Sequence, residues 1–342
     1  VEHNWLLYIV SFACAFAVSL LMTPSARKIS IRLNAIDYPK ARGLHKEPIP
    51  RMGGIAIVLG FMVTMGVLLI FMPELRTLQF AGFIIGGLAI FGLGAMDDIY
   101  QLRPRTKLIG QIVVACIIVA TGTRVTFFDA MMPTFLARID IPMTIIWIVG
   151  VTNAVNFIDG VDGLAAGVAS IASMSLTALC VVSGSGTAVV FAIALAGACL
   201  GFLPRNFSPA DVIMGDTGSM FLGYVLAVTS VIGVYKSAAL LTIVIAVLAL
   251  ALPVFDTAFA ILRRLIARKP IMTADRGHLH HKLIDAGYSH KQTVVILYLI
   301  SAVMGVIAVL IAVRDLRATV VTVVSLVVLA LMVYAYRKRV DK

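Results

Sequence analysis

The sequence predicts an all-α polytopic integral membrane protein of about eleven transmembrane helices, and three observations carry that expectation. Of 342 residues, 61% are hydrophobic and only 13% charged, with a mean hydropathy of +1.02, far above that of a soluble domain of this length. Apolar runs of roughly 17 to 25 residues, each long enough to cross a bilayer core as helix, recur along the whole chain. The 28 lysines and arginines divide 22 to 6 between the two sets of connecting segments. Basic residues are retained on the cytoplasmic side during insertion, so this asymmetry puts the N-terminus outside and the C-terminus in the cytoplasm.

The runs fall at about 6–22, 52–72, 78–96, 107–122, 142–157, 163–182, 187–203, 217–233, 238–262, 293–313 and 318–336. The first lacks a basic n-region, Glu2 and His3 being the only titratable side chains before it, and no small-residue cleavage site follows, so it reads as a retained helix and not a signal peptide. In the third, Gly82, Gly86, Gly87, Gly92 and Gly94 suit close packing against neighbours. The outer segment 123–141, with Pro133, reads as a short hairpin or amphipathic turn. No polar stretch is long enough for a soluble domain, so 1–342 is expected to be one membrane-embedded domain. Its cytoplasmic loops lie at about 23–51, 97–107, 156–162, 204–216 and 263–292. The net charge of +11 suits basic loops beside anionic lipid headgroups and calls for no nucleic acid. Cys14, Cys116, Cys180 and Cys199 all lie in apolar runs without CxxC spacing and read as packing residues.

Four polar clusters interrupt the hydrocarbon, all in loops expected on that one face. Asp97-Asp98 ends the third run, where the free carbonyls of a helix end already present negative charge, so a cation or a basic partner is needed. Arg103, Arg105 and Lys107 supply the plain alternative of solvated neutralisation. The run Asn153 to Gly163 holds Asn156, Asp159 and Asp162 with two Asp-Gly pairs, which impose turns that can face a ligand or simply cap a helix. Asp216, after Asn206 and Asp211, stands at the start of the eighth run. A carboxylate there caps a helix, and it is also the oxygen ligand that a hard cation prefers. The last cytoplasmic loop carries Arg276 and the His278-Leu279-His280-His281 run. It matches no zinc motif, and with Lys282 it suits an anionic ligand such as a pyrophosphate. Neither GxxxxGK[ST] nor a strand-linked GxGxxG occurs, so phosphate chemistry here cannot use the common nucleotide cradles. Asp256, inside the ninth run, is an intramembrane carboxylate with Arg263 and Arg264 two turns away; it stays outside the expected core site.

Taken together, five ordered segments resemble the polyprenyl-phosphate N-acetylhexosamine-1-phosphate transferases. They are His45-Lys46 with Pro50-Arg51-Met52-Gly53-Gly54; Asp97-Asp98 with Thr106-Lys107; NAVNFIDGVDGLAAG; NFSPADVIMGDTGS; and PVFDTAFAILRR with the histidine loop. The likeness runs from about residue 20 to 292. Arg51 and the His-Leu-His-His-Lys order depart from the lipid I enzyme's pattern and make the chain similar to the N-acetylglucosamine-1-phosphate branch that initiates teichoic acid, common antigen or O-antigen.

The resemblance implies transfer of N-acetylglucosamine-1-phosphate from UDP-N-acetylglucosamine to undecaprenyl phosphate at the cytoplasmic face of a bacterial inner membrane, releasing UMP. By position it makes Asp216 a ligand of Mg²⁺, with Mn²⁺ as a substitute, and Asp97 and Asp98 the paired catalytic aspartates. It makes Lys46 and Lys107 phosphate-site cations. Asn153, Asn156, Asp159, Asp162 and Asn206 become the floor of the nucleotide site, and Arg276, His278, His280 and His281 its basic loop. Asp97 would take a residual proton from the lipid phosphate, or one of the pair would act as a covalent nucleophile; Asp98 would position metal or phosphate. The resemblance also implies membrane-lipid partners and a homodimer. The alternatives are phospho-N-acetylmuramoyl-pentapeptide transfer and a transporter or flippase; the latter calls for midplane charges and an internal repeat that the chain does not show.

Overall fold

The computed structural model describes residues 4–38, 47–125, 139–233, 246–268 and 278–314, with positions 317, 319, 320 and 322. Its helices are α1 Trp5–Arg32, α2 Gly54–Phe71, α3 Leu78–Tyr100, α4 Pro104–Ala120, α5 Asp140–Ile158, α6 Leu164–Val182, α7 Gly186–Asn206, α8 Gly215–Gly233, α9 Ala251–Ile266, α10 Leu279–Asp285 and α11 His290–Ala312. Among the described residues, eight helices are long and apolar enough to cross a membrane: α1, α2, α3, α5, α6, α7, α8 and α11. The chain is an integral membrane protein. The 17-residue α4 and 16-residue α9 take the places of the fourth and ninth expected runs. Residues 238–245 of the ninth run, nearly all of the eleventh and most of the outer segment lie outside the described residues.

Several helices outrun their apolar stretches, which moves the polar clusters from loops onto helix ends. Asp97 and Asp98 sit in the last turn of α3, Asn156 in the last turn of α5 and Asp216 in the first turn of α8. Likewise α1 continues ten residues past its expected limit, to Arg32. Its buried face of Ser11, Ala15, Ser19, Thr23, Ala26 and Ser30 is small enough for α2 and α7 to approach closely, and the hydroxyls of Ser11, Thr23 and Ser30 bond to carbonyls of their own helix. The small side chains do the packing that bulk does elsewhere.

The bundle is organised around α8, whose span is 89% buried, against 28% for α1 and α11 at the periphery. It packs on α2, α3, α5, α6 and α7. Aromatic rings fill the middle: Phe83 stacks on Phe191 at 4.5 Å, Phe61 meets Phe221 edge-on at 5.6 Å, and the Tyr224 hydroxyl donates to the Phe83 carbonyl at 2.8 Å. Near the site end, Gly54 of α2 lies directly against the Gly218 backbone of α8, leaving no room for a Cβ.

Ahead of α2, the strands β1 Ile36–Asp37 and β2 Ile49–Pro50 pair antiparallel, with Ile36 opposite Pro50. The residues after β2 are held on both sides. Arg51 N donates to Ala35 O (3.0 Å), Gly53 N to Ile213 O (2.9 Å) and Gly54 N to Met214 O (2.9 Å), while Ile213 N donates to Pro50 O (2.8 Å). The segment that carries Arg51 is thereby fixed against the segment that leads into Asp216.

Because the neighbour at Gly54 is backbone, which cannot rotate away, Gly54→Val should part α2 from α8 and cost at least about 1–3 kcal/mol. Thermal unfolding in detergent should show a lower Tm for this variant; an unchanged Tm would contradict the close approach.

Candidate active site

The ends of α3, α4, α5 and α8 meet at one point, and their carboxylates differ in how much water they see. Asp98 has 0% side-chain exposure, Asp97 6% and Asp216 17%. Asp98 accepts from Asp216 N (3.0 Å), Thr217 N (2.9 Å), the Thr217 hydroxyl and Arg51 Nε (3.0 Å). It therefore caps α8 from outside that helix, using orphan amides at the very turn that carries Asp216. Gly215, with φ +72°, makes this possible: a Cβ there would collide with the Arg51 carbonyl and the Asp98 carboxylate.

Asp97 accepts from Leu102 N at 2.7 Å and pairs with Lys107 Nζ at 2.9 Å. The same ammonium lies 3.3 Å from Asp216 Oδ2, so Lys107 bridges the two carboxylates. The Arg51 guanidinium stands 3.9 Å from Asp216 on another side. Asn156 donates to Asp216 Oδ1 and to Ser219 Oγ, at 2.8 Å for the latter. Asn153, one turn back on α5, exchanges amide hydrogen bonds with Gln111, which lies one turn along α4 from Lys107. This amide pair sets the α4–α5 register and hence the approach of Lys107 and Asn156 to Asp216.

The Asp-Gly turn between α5 and α6 is braced from beneath. Asn206, 3% exposed, accepts from Gly163 N (3.1 Å) and donates to Val212 O (3.0 Å), and the Tyr298 hydroxyl of α11 donates to the Gly163 carbonyl. Asn206 is thus a latch under the turn. Asp162 accepts from Ala210 N at 3.1 Å and lines a cavity of about 650 Å³ together with Arg27, Lys28, Pro50 and Arg205, whereas Asp97, Asp98 and Asp216 do not line it. Burial pushes the Asp159 carboxyl up to about 7, with the nearby charge of Asp98 adding to the effect, Arg51 opposing it and Asp162 adding less.

The histidine run forms the start of α10 and packs on that turn. His280 is 3% exposed, and its ring lies over Gly160. It stands parallel to the His278 ring at 5.8 Å and near His281 at 4.2 Å. Burial pushes the His280 imidazole down to about 4, helped by the other two histidines and opposed by Asp256, so it is neutral at physiological pH. His278 and the Leu279 amide both bond to Asp256. Lys46 and Arg276 lie outside the described residues.

Three carboxylates thus converge with two cations, Arg51 and Lys107, leaving an excess of negative charge among the described residues. No three or more His, Cys, Asp or Glu side chains there group to hold a metal ion, so a cage made of protein alone is not built. One accessible carboxylate, Asp216, suits a hard cation whose other positions go to water and phosphate oxygens. The donor set fits Mg²⁺ of that kind. Sequence reasoning assigned no site role to Arg51, Gln111, Thr217 or Ser219 and kept Asp256 apart. Arg51, Thr217 and Ser219 were within reach, since they stand in quoted segments; Gln111 does not.

Residues 80–234 match the sequence profile of Glycosyl transferase family 4. A protein of Bacillus subtilis named probable undecaprenyl-phosphate N-acetylglucosaminyl 1-phosphate transferase is 35% identical over 313 residues, covering 90% of this chain and 86% of its own. The chain belongs to glycosyl transferase family 4. Other members similar to it include the decaprenyl-phosphate N-acetylglucosaminephosphotransferase of Mycolicibacterium smegmatis, 33% identical over 83% of this chain and 77% of the relative. The phospho-N-acetylmuramoyl-pentapeptide-transferase of Borrelia hermsii is 28% identical over 86% and 92%. The family profile begins at α3 and ends with α8, so it takes in Asp97, Asp98, Lys107, Asn156 and Asp216 and leaves out Arg51 and the histidine run.

Two outcomes follow for this family 4 site. Asp98→Ala leaves Arg51 and two α8 amides without their acceptor and should cost about 3–5 kcal/mol of stability; a variant as stable as wild type in thermal unfolding would remove Asp98 from this capping role. A carboxyl raised to about 7, as at Asp159, binds more protons folded than unfolded, so its contribution is complete below about pH 4 and is lost as pH rises through 7. His280 has the opposite sign, its contribution being complete above about 6.5 and lost as pH falls towards 4. With chelator present, the Tm of Asp159→Asn relative to wild type should therefore improve between pH 5.5 and pH 8, and an offset that does not change with pH would contradict the Asp159 environment.

Proposed function

We propose that this chain transfers N-acetylglucosamine-1-phosphate from UDP-N-acetylglucosamine to undecaprenyl phosphate, releasing UMP, in a bacterial cytoplasmic membrane with the site facing the cytoplasm. The observation that carries the reading is Lys107 shared between Asp97 and the accessible Asp216, at the end of the bundle where the basic segments gather. The name of the Bacillus relative supports undecaprenyl phosphate and the sugar phosphate, and that of the Mycolicibacterium relative, which gives decaprenyl phosphate, supports a polyprenyl phosphate acceptor and the same sugar phosphate.

In this mechanism an oxygen of the lipid phosphate attacks the β-phosphorus of the sugar nucleotide, and the bond from that phosphorus to the oxygen of UMP breaks. Positioning and charge neutralisation supply most of the rate in such transfers. Asp216, with Asn156 beside it, would hold Mg²⁺, which supplies neutralisation of the diphosphate charge when bound. Arg51 and Lys107 hold phosphate oxygens from two sides. Asp97 takes the residual proton of the lipid phosphate, a small task because its second ionisation lies near pH 6. Asp98 acts through Asp216, keeping the first turn of α8 in place. The histidine run covers the nucleotide side, and the family resemblance extends the proposal to a homodimer.

Purified protein given radiolabelled UDP-N-acetylglucosamine, undecaprenyl phosphate and Mg²⁺ should form organic-extractable label and UMP in equal amounts. Asp97→Asn and Asp216→Asn should each lower turnover by at least about 100-fold. UDP-MurNAc-pentapeptide should be inert; its turnover in place of the N-acetylglucosamine donor would overturn the sugar assignment, and near-wild-type rates in either variant would overturn the site.

A further inference from the structure

Asp256 belongs to none of the polar clusters already assigned, yet it is the residue that fastens the histidine run to the bundle. It lies on α9, and its two carboxylate oxygens reach across to the start of α10, with His278 Nδ1 2.8 Å from Oδ2 and Leu279 N 2.9 Å from Oδ1. Both side chains are nearly enclosed, at 10% exposure for Asp256 and 11% for His278. The contact spans 22 positions of sequence, so it is tertiary and not a local turn.

We propose that Asp256 is a positioning residue that holds His278 in one tautomer. An ionised carboxylate has only lone pairs to offer, so the Nδ1 that faces it must carry a proton. Nε2 is then the nitrogen left for a ligand, and the ring cannot turn without breaking a bond to a buried charge. A carboxylate behind an imidazole fixes tautomer and orientation in this way wherever the far nitrogen has to meet a ligand.

The rest of the surroundings agree on where that ring belongs. Its neighbours are Phe157, at 6.1 Å, and His280, whose own ring lies over Gly160. Phe157 follows Asn156, which bonds to Asp216, and Gly160 follows Asp159. The grip of Asp256 is thereby transmitted to the α5–α6 turn that borders the aspartates. With its lone pair, Nε2 accepts, so its ligand is a hydrogen-bond donor of the sugar nucleotide, a hydroxyl or the uracil N–H, an assignment that rests on the function proposed above.

The chain has only six histidines, so ¹⁵N-histidine labelling of the full-length protein in nanodiscs gives a spectrum simple enough to assign by difference with His278→Ala. Imidazole ¹⁵N shifts should show His278 protonated at Nδ1 in wild type and in Asp256→Asn, which keeps an acceptor oxygen. In Asp256→Ala the Nε2–H form should grow in, and KM for the donor should rise about 10- to 100-fold, with kcat changing less. Asp256→Asn should fall between the two. A wild-type His278 protonated only at Nε2 overturns the proposal, as does an alanine variant with unchanged tautomer or KM. Should the alanine variant not fold, the wild-type tautomer and the KM of Asp256→Asn decide it, a wild-type KM in the asparagine variant counting against. Wild-type protein that makes no lipid-linked product overturns the functional reading instead, and the tautomer measurement still tests the grip of Asp256.

Discussion

Asp98 accepts two backbone amides and a hydroxyl at the start of α8, while its own charge is met by Arg51. Without an exposed surface, that carboxylate has nothing but these donors to compensate its removal from water. Three parts of the chain are located as a result: the last turn of α3, the first turn of the most buried helix, and the β2–α2 segment pinned between Ala35 and Ile213. Asp216, next to the capped amides, inherits its place from them. The accessible carboxylate is only as well positioned as the inaccessible one beneath it.

The polar residues around this point therefore fall into two kinds. Asp98, Asn206 and the Gln111–Asn153 pair spend their hydrogen-bonding capacity on other parts of the chain; Asp98, Asn206 and Gln111 are buried, where an unmet donor or acceptor would be costly, and Asn153 is half-buried. Asp216, Lys107 and Arg51 keep part of their surface exposed and compensate one another without saturating. Rigidity comes from the first kind, and the second kind carries the chemistry of the proposed function. A phosphate-handling site beside a bilayer needs both, because loosely held charges there would repel or collapse on one another.

Most of the fold was legible in the sequence because hydropathy reports directly on the bilayer as solvent. What hydropathy could not report is where a helix stops, since that depends on partners: α3 runs on through Asp97 and Asp98 because Arg51, Lys107 and the α8 amides accept their charge. The candidate residues Asp97, Asp216, Lys107 and Asn156 were legible as types at helix ends, and the structure brings them together. Asn206 and Asn153 carried the same signal, and the structure adds the partners that sequence could not give, Gly163 and Val212 for the one and Gln111 for the other. Gln111 gave no signal at all: a single amide in the apolar fourth run acquires meaning only through Asn153, 42 positions on. Asp256 was noticed as an oddity, and its partner lay in a different cluster.

The hydrogen bonds from Asp216 and Thr217 to Asp98 span 118 and 119 positions. A chain entering the membrane in order from its N-terminus delivers Asp97 and Asp98 with α3, and for the length of four more helices the amides that will satisfy them have not yet been made. Through that interval the end of α3 must stay hydrated at the bilayer surface, with Arg51 and then Lys107 as its available counter-charges. The helix that fills the centre of the bundle is thus also the one whose amides meet Asp98 away from water, so burial of the end of α3 depends on α8 being in place.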